Sequence, residues 1–171
     1  MNASSIFLLF LAGLAWWSLL EYLLHRFVFH HFPRTLGKRH LAHHASLEER
    51  RLALAPLPSA LGGSAIHALA FLGLFGTGPG LSLLAGLVAG YLAYEWVHYA
   101  THYRVPRGRI LKALRRHHMI HHHAQFHARY GVTSPLWDWV FRSLPPAPGQ
   151  AGAPGRGGPA AARAERKHLP S

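Results

Sequence analysis

The sequence contains no cysteine, so disulfide frameworks, thiolate zinc sites and thiol redox chemistry are excluded, and any metal must be held by nitrogen or oxygen. Acidic residues are nearly as scarce: 6 Asp and Glu face 18 Lys and Arg, which leaves a net charge of +12 and too few carboxylates for a calcium or magnesium cage. Charge of either sign is missing altogether from Met1–Leu20 and from Leu52–Tyr94. With half the residues hydrophobic and only 14% charged, the chain is a poor soluble globule and reads as a membrane protein.

A hydrocarbon core of about 30 Å needs about 20 apolar residues in a helix rising 1.5 Å per residue. Ile6–Leu24 supplies a first span. Gly76-Thr77-Gly78-Pro79-Gly80 is a turn-forming run that cuts the second uncharged stretch into Leu57–Phe75 and Leu81–Val97. The fold class expected is therefore an all-α, multi-pass transmembrane bundle of about three spans, with a short interfacial helix around Pro135–Leu144, where Trp137, Trp139 and Phe141 beside Asp138 and Arg142 suit the headgroup level. No basic n-region precedes the first apolar run, which argues for a span over a signal peptide. Every Lys and Arg lies in Glu21–Arg51 or Glu95–Ser171, so the basic segments are expected in the cytoplasm, with the N-terminus and the 76–80 turn outside. Basic residues flanking spans suit lipid headgroups, and no nucleic-acid motif is present. Residues 1–144 form one membrane-embedded domain, and the Pro-, Gly-, Ala- and Arg-rich 145–171 is expected to be a disordered tail.

What the chain has in excess is histidine, 16 residues of it, clustered in four boxes. These are His25-x4-His30, His40-x2-His43-His44, His98-x3-His102 and His118-x2-His121-His122. Side chains three and four apart share a helix face, so each of the last three boxes converges. His25 and His30 do not: five steps leave them roughly 140° apart on an α-helix, which predicts either that the first span unwinds near Phe29, before Pro33, or that the two rings serve different metals. Ten imidazoles exceed what one first-row ion takes, so two metals are expected, and imidazole alone leaves zinc, copper, iron and nickel open. One such box arises readily by chance; four on one side of a membrane do not. Glu21, four residues before His25, and Glu95, three before His98, are placed to hold the distal N–H of a ligating ring, or else to pair with Arg26 or Arg104. Tyr94 and His127 are candidates for the substrate side, His127 also for proton relay. His31, His117 and His123 read as neighbours of the boxes, mid-span His67 as a neutral ring bonded to a neighbouring helix, and His168 as a tail residue without a role.

The stretches EYLLHRFVFH (21–30), HLAHH (40–44), YEWVHYATH (94–102) and HHMIHHHAQFHARYGVTSPLWDWVF (117–141) together resemble the fatty acid hydroxylase superfamily, the integral-membrane di-iron oxygenases that include sterol desaturases, sphingolipid fatty acid 2-hydroxylases and carotenoid hydroxylases. The His-x3-His third box and the run Gly131-Val132-Thr133-Ser134 to Trp137-Asp138 are most similar to the 2-hydroxylase branch, although Glu95 stands where that branch typically has Asp. The resemblance implies that His25, His30, His40, His43, His44, His98, His102, His118, His121 and His122 hold two irons on the cytoplasmic side, with zinc a possible occupant of purified protein. It implies O₂-dependent hydroxylation of a lipid C–H bond, most simply on a long acyl chain, with sterols, hopanoids or carotenoids as other substrates and desaturation as the related outcome. No segment corresponds to the cytochrome-b5-type domain fused to many eukaryotic members, nor to an additional N-terminal span. A separate electron donor of cytochrome-b5 or ferredoxin type and a narrower membrane cavity are therefore expected, in a bacterial inner membrane. Outside enzymes, a metal transporter or store would also need histidines and spans, but the boxes gather at one face, and only the second span carries a histidine at depth.

Overall fold

The computed structural model describes residues 1–32, 37–146 and 148; Pro33 and the remainder of the expected tail, with His168, lie outside them. Among the described residues every regular element is helical. Helix α1 covers Ala3–Leu23 and continues as a π-helical turn, Leu24–Phe29; α2 is Lys38–Ala45, α3 Leu57–Phe75, α4 Thr77–Tyr103, α5 Arg109–His123 and α6 Leu136–Val140. Three stretches are long and apolar enough to cross a bilayer: Ala3–Phe29, the segment ending in α3, and α4. The chain is built as an integral membrane protein.

Each span begins and ends where local chemistry dictates. Asn2 caps α1, its side-chain oxygen accepting the Ser5 N–H at 2.8 Å. Pro56 and Pro58 open α3, and Gly76, at φ +78°, closes it and starts α4. The break expected over 76–80 is thus a single residue. Thr77 to Gly80 already belong to the first turn of α4, where Pro79 has no helical hydrogen bond to lose. At its other end α4 runs on to Tyr103, past Val97, so the third histidine box rides on a continuous helix.

Helix α4 is the central element, packed against both α1 and α3. Because lipid solvates apolar side chains as well as protein does, close packing must hold such helices together, and small residues permit it. A Cβ on Gly13 would stand 2.1 Å from the Leu83 carbonyl oxygen, one on Gly86 2.0 Å from that of Phe10, and one on Gly90 2.8 Å from the Trp17 Cβ. The outer faces stay apolar and open to lipid, with Leu61, Ile66, Leu69, Leu74 and Leu92 all exposed and no residue of α3 buried.

The core lies at the end where α1 and α4 finish and α3 begins, and it is largely polar. His25, His43, His98, His117, His118, His121, Glu21, Thr101, Arg129 and Asp138 are buried there with Tyr22, Ala53, Ala100, Tyr130 and Val132. Helix α6 falls inside the expected interfacial segment, but its polar face turns inward. Asp138, expected among headgroups, is completely buried, and the Trp137 indole donates to the Ser18 hydroxyl at 3.0 Å; Trp139, 71% exposed, keeps an outward place. The reason is local: Asp138 accepts the Tyr130 and Gly131 N–H groups, both at 2.8 Å, and the Ser143 hydroxyl at 2.7 Å, and an amphipathicity argument sees none of these.

Candidate metal centre

All ten histidines of the four boxes converge at this end of the bundle, in two groups of five. One comprises His25, His30, His40, His44 and His121; the other His43, His98, His102, His118 and His122; within each, one ring nitrogen per residue lies within 4.8 Å of all the others. Helix periodicity performs the sorting. In α2 the i, i+4 pair His40 and His44 faces the first group while His43 faces the second, and in α5 His118 and His122 face the second while His121 faces the first. The groups abut where the His44 and His122 rings stack at 4.0 Å.

The first box is the instructive one. Near Phe29 the α-helix loosens into a π-helical turn that ends at that residue, and its i→i+5 closure brings residues five apart onto one face. His25 and His30 consequently sit with ring centres 5.1 Å apart in the same group, so the alternative that they serve different centres does not fit the geometry.

Ring orientation identifies the atoms that face inward. The Nδ1 of His25 bonds the Tyr130 carbonyl at 2.5 Å, that of His98 the Ala53 carbonyl at 2.8 Å and that of His121 the Ala128 carbonyl at 2.6 Å. A carbonyl only accepts, so these Nδ1 atoms carry the proton and each Nε2 presents a bare lone pair, buried without a protein partner. Other Nε2 atoms crowd together: His30 to His40 at 3.1 Å and His40 to His44 at 3.0 Å in one group, His43 to His102 at 3.0 Å, His102 to His118 at 2.8 Å and His118 to His122 at 3.1 Å in the other. Two nitrogens bound at 2.0–2.1 Å to a common ion lie ~2.9 Å apart at a right angle and ~3.4 Å apart at the tetrahedral angle. The donor set and spacing fit two ions of more than four-fold coordination, one per group.

Burial keeps the rings neutral, the state a metal requires. It brings His30 down to about 3, with His121 and His127 adding to the effect, and His43 to about 4, with Arg39 adding. His121 is also lowered to about 4 by burial, against the opposing hydrogen bond to Ala128.

The carboxylates differ from expectation. Glu21 touches neither His25 nor Arg26; it accepts the Val132 and Thr133 N–H groups and the Thr133 hydroxyl. Glu95 touches neither His98 nor Arg104; both its oxygens accept the Ala55 N–H, at 3.1 and 3.2 Å. The protein's own carbonyls, more numerous than carboxylates, had taken the ligand rings first. Tyr94 stacks on His98, and exposed His127 lies beside His30 at 6.5 Å between ring centres. His31 bonds the Arg26 carbonyl, and His67 bonds the Gly63 carbonyl of its own helix, not a neighbouring one. His117, a neighbour of the fourth box, is buried against Asp138 at 3.0 Å. Sequence reasoning missed Asp138 and also Phe126, whose ring covers His30 and His44 at 4.4 and 4.9 Å. The scarcity of acidic residues and the place of Asp138 in the Trp137-Asp138 run were the signals that could have marked it.

Between α1, α3 and α4 a cavity of about 310 Å³ opens, walled by Trp17, Leu24, Ser64 and His67 and ending at Phe29 and Tyr94. Phe29 stacks on His40 of one histidine group and Tyr94 on His98 of the other, so these two rings stand between the cavity and the two groups.

The family described as fatty acid hydroxylase matches residues 10–143. The fatty acid 2-hydroxylase of Homo sapiens is 34% identical over 148 residues, covering 81% of this chain and 40% of that protein. A dihydroceramide fatty acyl 2-hydroxylase of Arabidopsis thaliana is 34% identical, covering 78% and 59%, and the ceramide very long chain fatty acid hydroxylase of Saccharomyces cerevisiae is 30% identical, covering 82% and 39%. A solved structure of full-length scs7p, in which only the hydroxylase domain is visible, superposes with a TM-score of 0.77 at 26% identity, over 85% of this chain and 58% of that one. The chain thus spans about two fifths to three fifths of the length of these relatives. Through the match over 10–143, which takes in all four histidine boxes and the α6 segment, the chain belongs to the fatty acid hydroxylase family.

Proposed function

We propose that this chain is an O₂-dependent hydroxylase of long acyl chains that acts on the carbon beside the carboxyl carbon, with the ten box histidines holding two irons on the cytoplasmic side of the membrane. The observation that carries the reading is the cavity between the spans, whose inner end rests on Phe29 and Tyr94, one against each histidine group. An acyl chain entering from the lipid between α1 and α3 lies along apolar walls and brings its polar end to the histidines.

The irons would supply O₂ activation, the overall change being C–H, O₂, two electrons and two protons to C–OH and water. The protein's share is to hold neutral imidazoles, exclude water and admit lipid. Buried His25, His98 and His121 hold their proton on Nδ1 against a carbonyl and keep Nε2 bare, and Phe126 covers His30 and His44. Electrons come from a separate protein of cytochrome-b5 or ferredoxin type, an acidic partner suited to the exposed Arg107, Arg109, Lys112 and Arg116. The names of the relatives support the acyl substrate and the 2-position.

The test is direct. Purified chain loaded with Fe(II), supplied with a reductant, a long-chain ceramide or fatty acid and ¹⁸O₂, is expected to place label in a 2-hydroxyacyl product. His98→Ala should lower product by more than ~100-fold and weaken one of two metals, since a positioned imidazole is lost. His127→Ala should keep both metals and lose only part of the turnover. Unlabelled lipid under every donor tried, with two irons bound, would replace the hydroxylase reading with metal handling; zinc in purified material would not, because zinc competes well for such nitrogens.

A further inference from the structure

Glu21 and Glu95 are built into the same device twice. Glu21 accepts the N–H of Val132 at 2.6 Å and of Thr133 at 2.9 Å, and the Thr133 hydroxyl at 2.6 Å. Two residues upstream of Val132, the Tyr130 carbonyl accepts the Nδ1–H of His25, which lies one turn beyond Glu21 on the same helix. Glu95 accepts the N–H of Ala55, and two residues upstream the Ala53 carbonyl accepts the Nδ1–H of His98, again one turn beyond the carboxylate on its own helix. Each device is a closed ring: helix, carboxylate, backbone N–H, backbone carbonyl, imidazole, helix. The two rings share no residue.

We propose that each histidine group is set by its own carboxylate acting through the backbone, Glu21 for the group of His25 and Glu95 for the group of His98, so that the two metals are separately adjustable. The proposal rests on the reading that the two groups hold metals. Glu21 and Glu95 are positioning residues. Their task is to hold a loop against the helix so that one carbonyl fixes the tautomer and aim of one ligating ring. In the first ring the loop has a second brace, since Asp138 accepts the Tyr130 and Gly131 N–H groups, and it also carries the Ala128 carbonyl that holds His121. In the second ring half-buried Glu95 takes one backbone N–H, that of Ala55. Glu21, buried and with three bonds, has the larger effect.

Anaerobic Fe(II) titration of the purified full chain in detergent, with elemental analysis, reads this without relying on turnover. Wild type is expected to bind two equivalents. Glu21→Ala and Glu95→Ala should each leave one equivalent at wild-type affinity and weaken the other by about 100-fold and about 10-fold respectively, the two ends of the range for outer partners of a ligand. The double variant should weaken both. Glu21→Gln and Glu95→Gln should bind nearly as wild type, because an amide oxygen still accepts a backbone N–H. On a His98→Ala background, Glu95→Ala should leave the surviving equivalent untouched while Glu21→Ala weakens it. Thr133→Val, which removes one bond to Glu21, gives the same one-site weakening in smaller degree where Glu21→Ala does not fold. If the alanine variants weaken both equivalents alike, or neither, the pairing of carboxylate to site is overturned while the two-metal reading stands. A wild type that binds no metal overturns both.

Discussion

An imidazole in this protein has two different nitrogens, and the fold decides which faces inward. Where a backbone carbonyl takes the Nδ1 proton, as at His25, His98 and His121, the opposite nitrogen is left as a lone pair with nowhere to go but the centre of its group. Outside the spans, protonating His30, His43 and His121 is opposed first of all by burial. His43 and His121 are held near 4 and His30 near 3, below the ~6.5 of an unfolded chain. Between those values and 6.5 the unfolded chain binds more protons than the folded one, so these rings contribute stability that is fully present above 6.5 and is lost as the pH falls. The metal-free protein in detergent is therefore expected to show a falling unfolding temperature from pH 6.5 to about 4. A midpoint that stays flat across that window would mean the rings are protonated in the fold.

At the scale of the element, two helices owe their form to single features. The π-helical turn at the end of α1 places His25 and His30 on one face, and an α-helix of the same sequence would separate them. The crossing of α1 and α4 depends on Gly13 and Gly86, each lying on a backbone carbonyl of the other helix. Gly86→Ala puts a methyl 2.0 Å from the Phe10 carbonyl oxygen and must drive the helices apart, at a cost of about 1–3 kcal/mol. Gly62→Ala, in α3 with open space around it, should instead stabilise by roughly 0.5–1 kcal/mol, since glycine disfavours a helix interior. Thermal unfolding of the two variants in one detergent checks the pair. Equal effects of the same sign would show that the α1–α4 contact does not control stability.

At the scale of the whole molecule, three antiparallel spans put the α3–α4 turn at one end and every histidine of the boxes at the other. The lipid-facing middle is held by close helix contact, while the histidine end is held by hydrogen bonds among buried polar groups: Glu21 to 132–133, Asp138 to 130–131 and His117, Tyr22 to Ser143. Reporter fusions at Thr77 and Pro146 are expected on opposite sides of the membrane, with His40 on the side of Pro146. Fusions that place all three on one side would dismantle the three-span arrangement.

Much of this is written in the sequence by itself. Uncharged length determined the three spans, one-sided basic residues gave an expected orientation, and i, i+3 and i, i+4 spacing marked the rings of α2, α4 and α5 that share a face, because these properties depend on neighbours a few residues apart. Tertiary structure alone decided the rest. The sorting of His40, His43 and His44 between two groups, the inward turn of Asp138, and the carbonyls of Ala53, Ala128 and Tyr130 on the rings depend on which distant segments meet. Glu21 bonds residues 111 and 112 positions away and Glu95 one 40 away. Helix spacing pointed each carboxylate at the imidazole one turn along. The loops arrived between them, and at Val132 the reason is that a backbone N–H brought into a dry interior must find an acceptor and a carboxylate is the strongest one at hand.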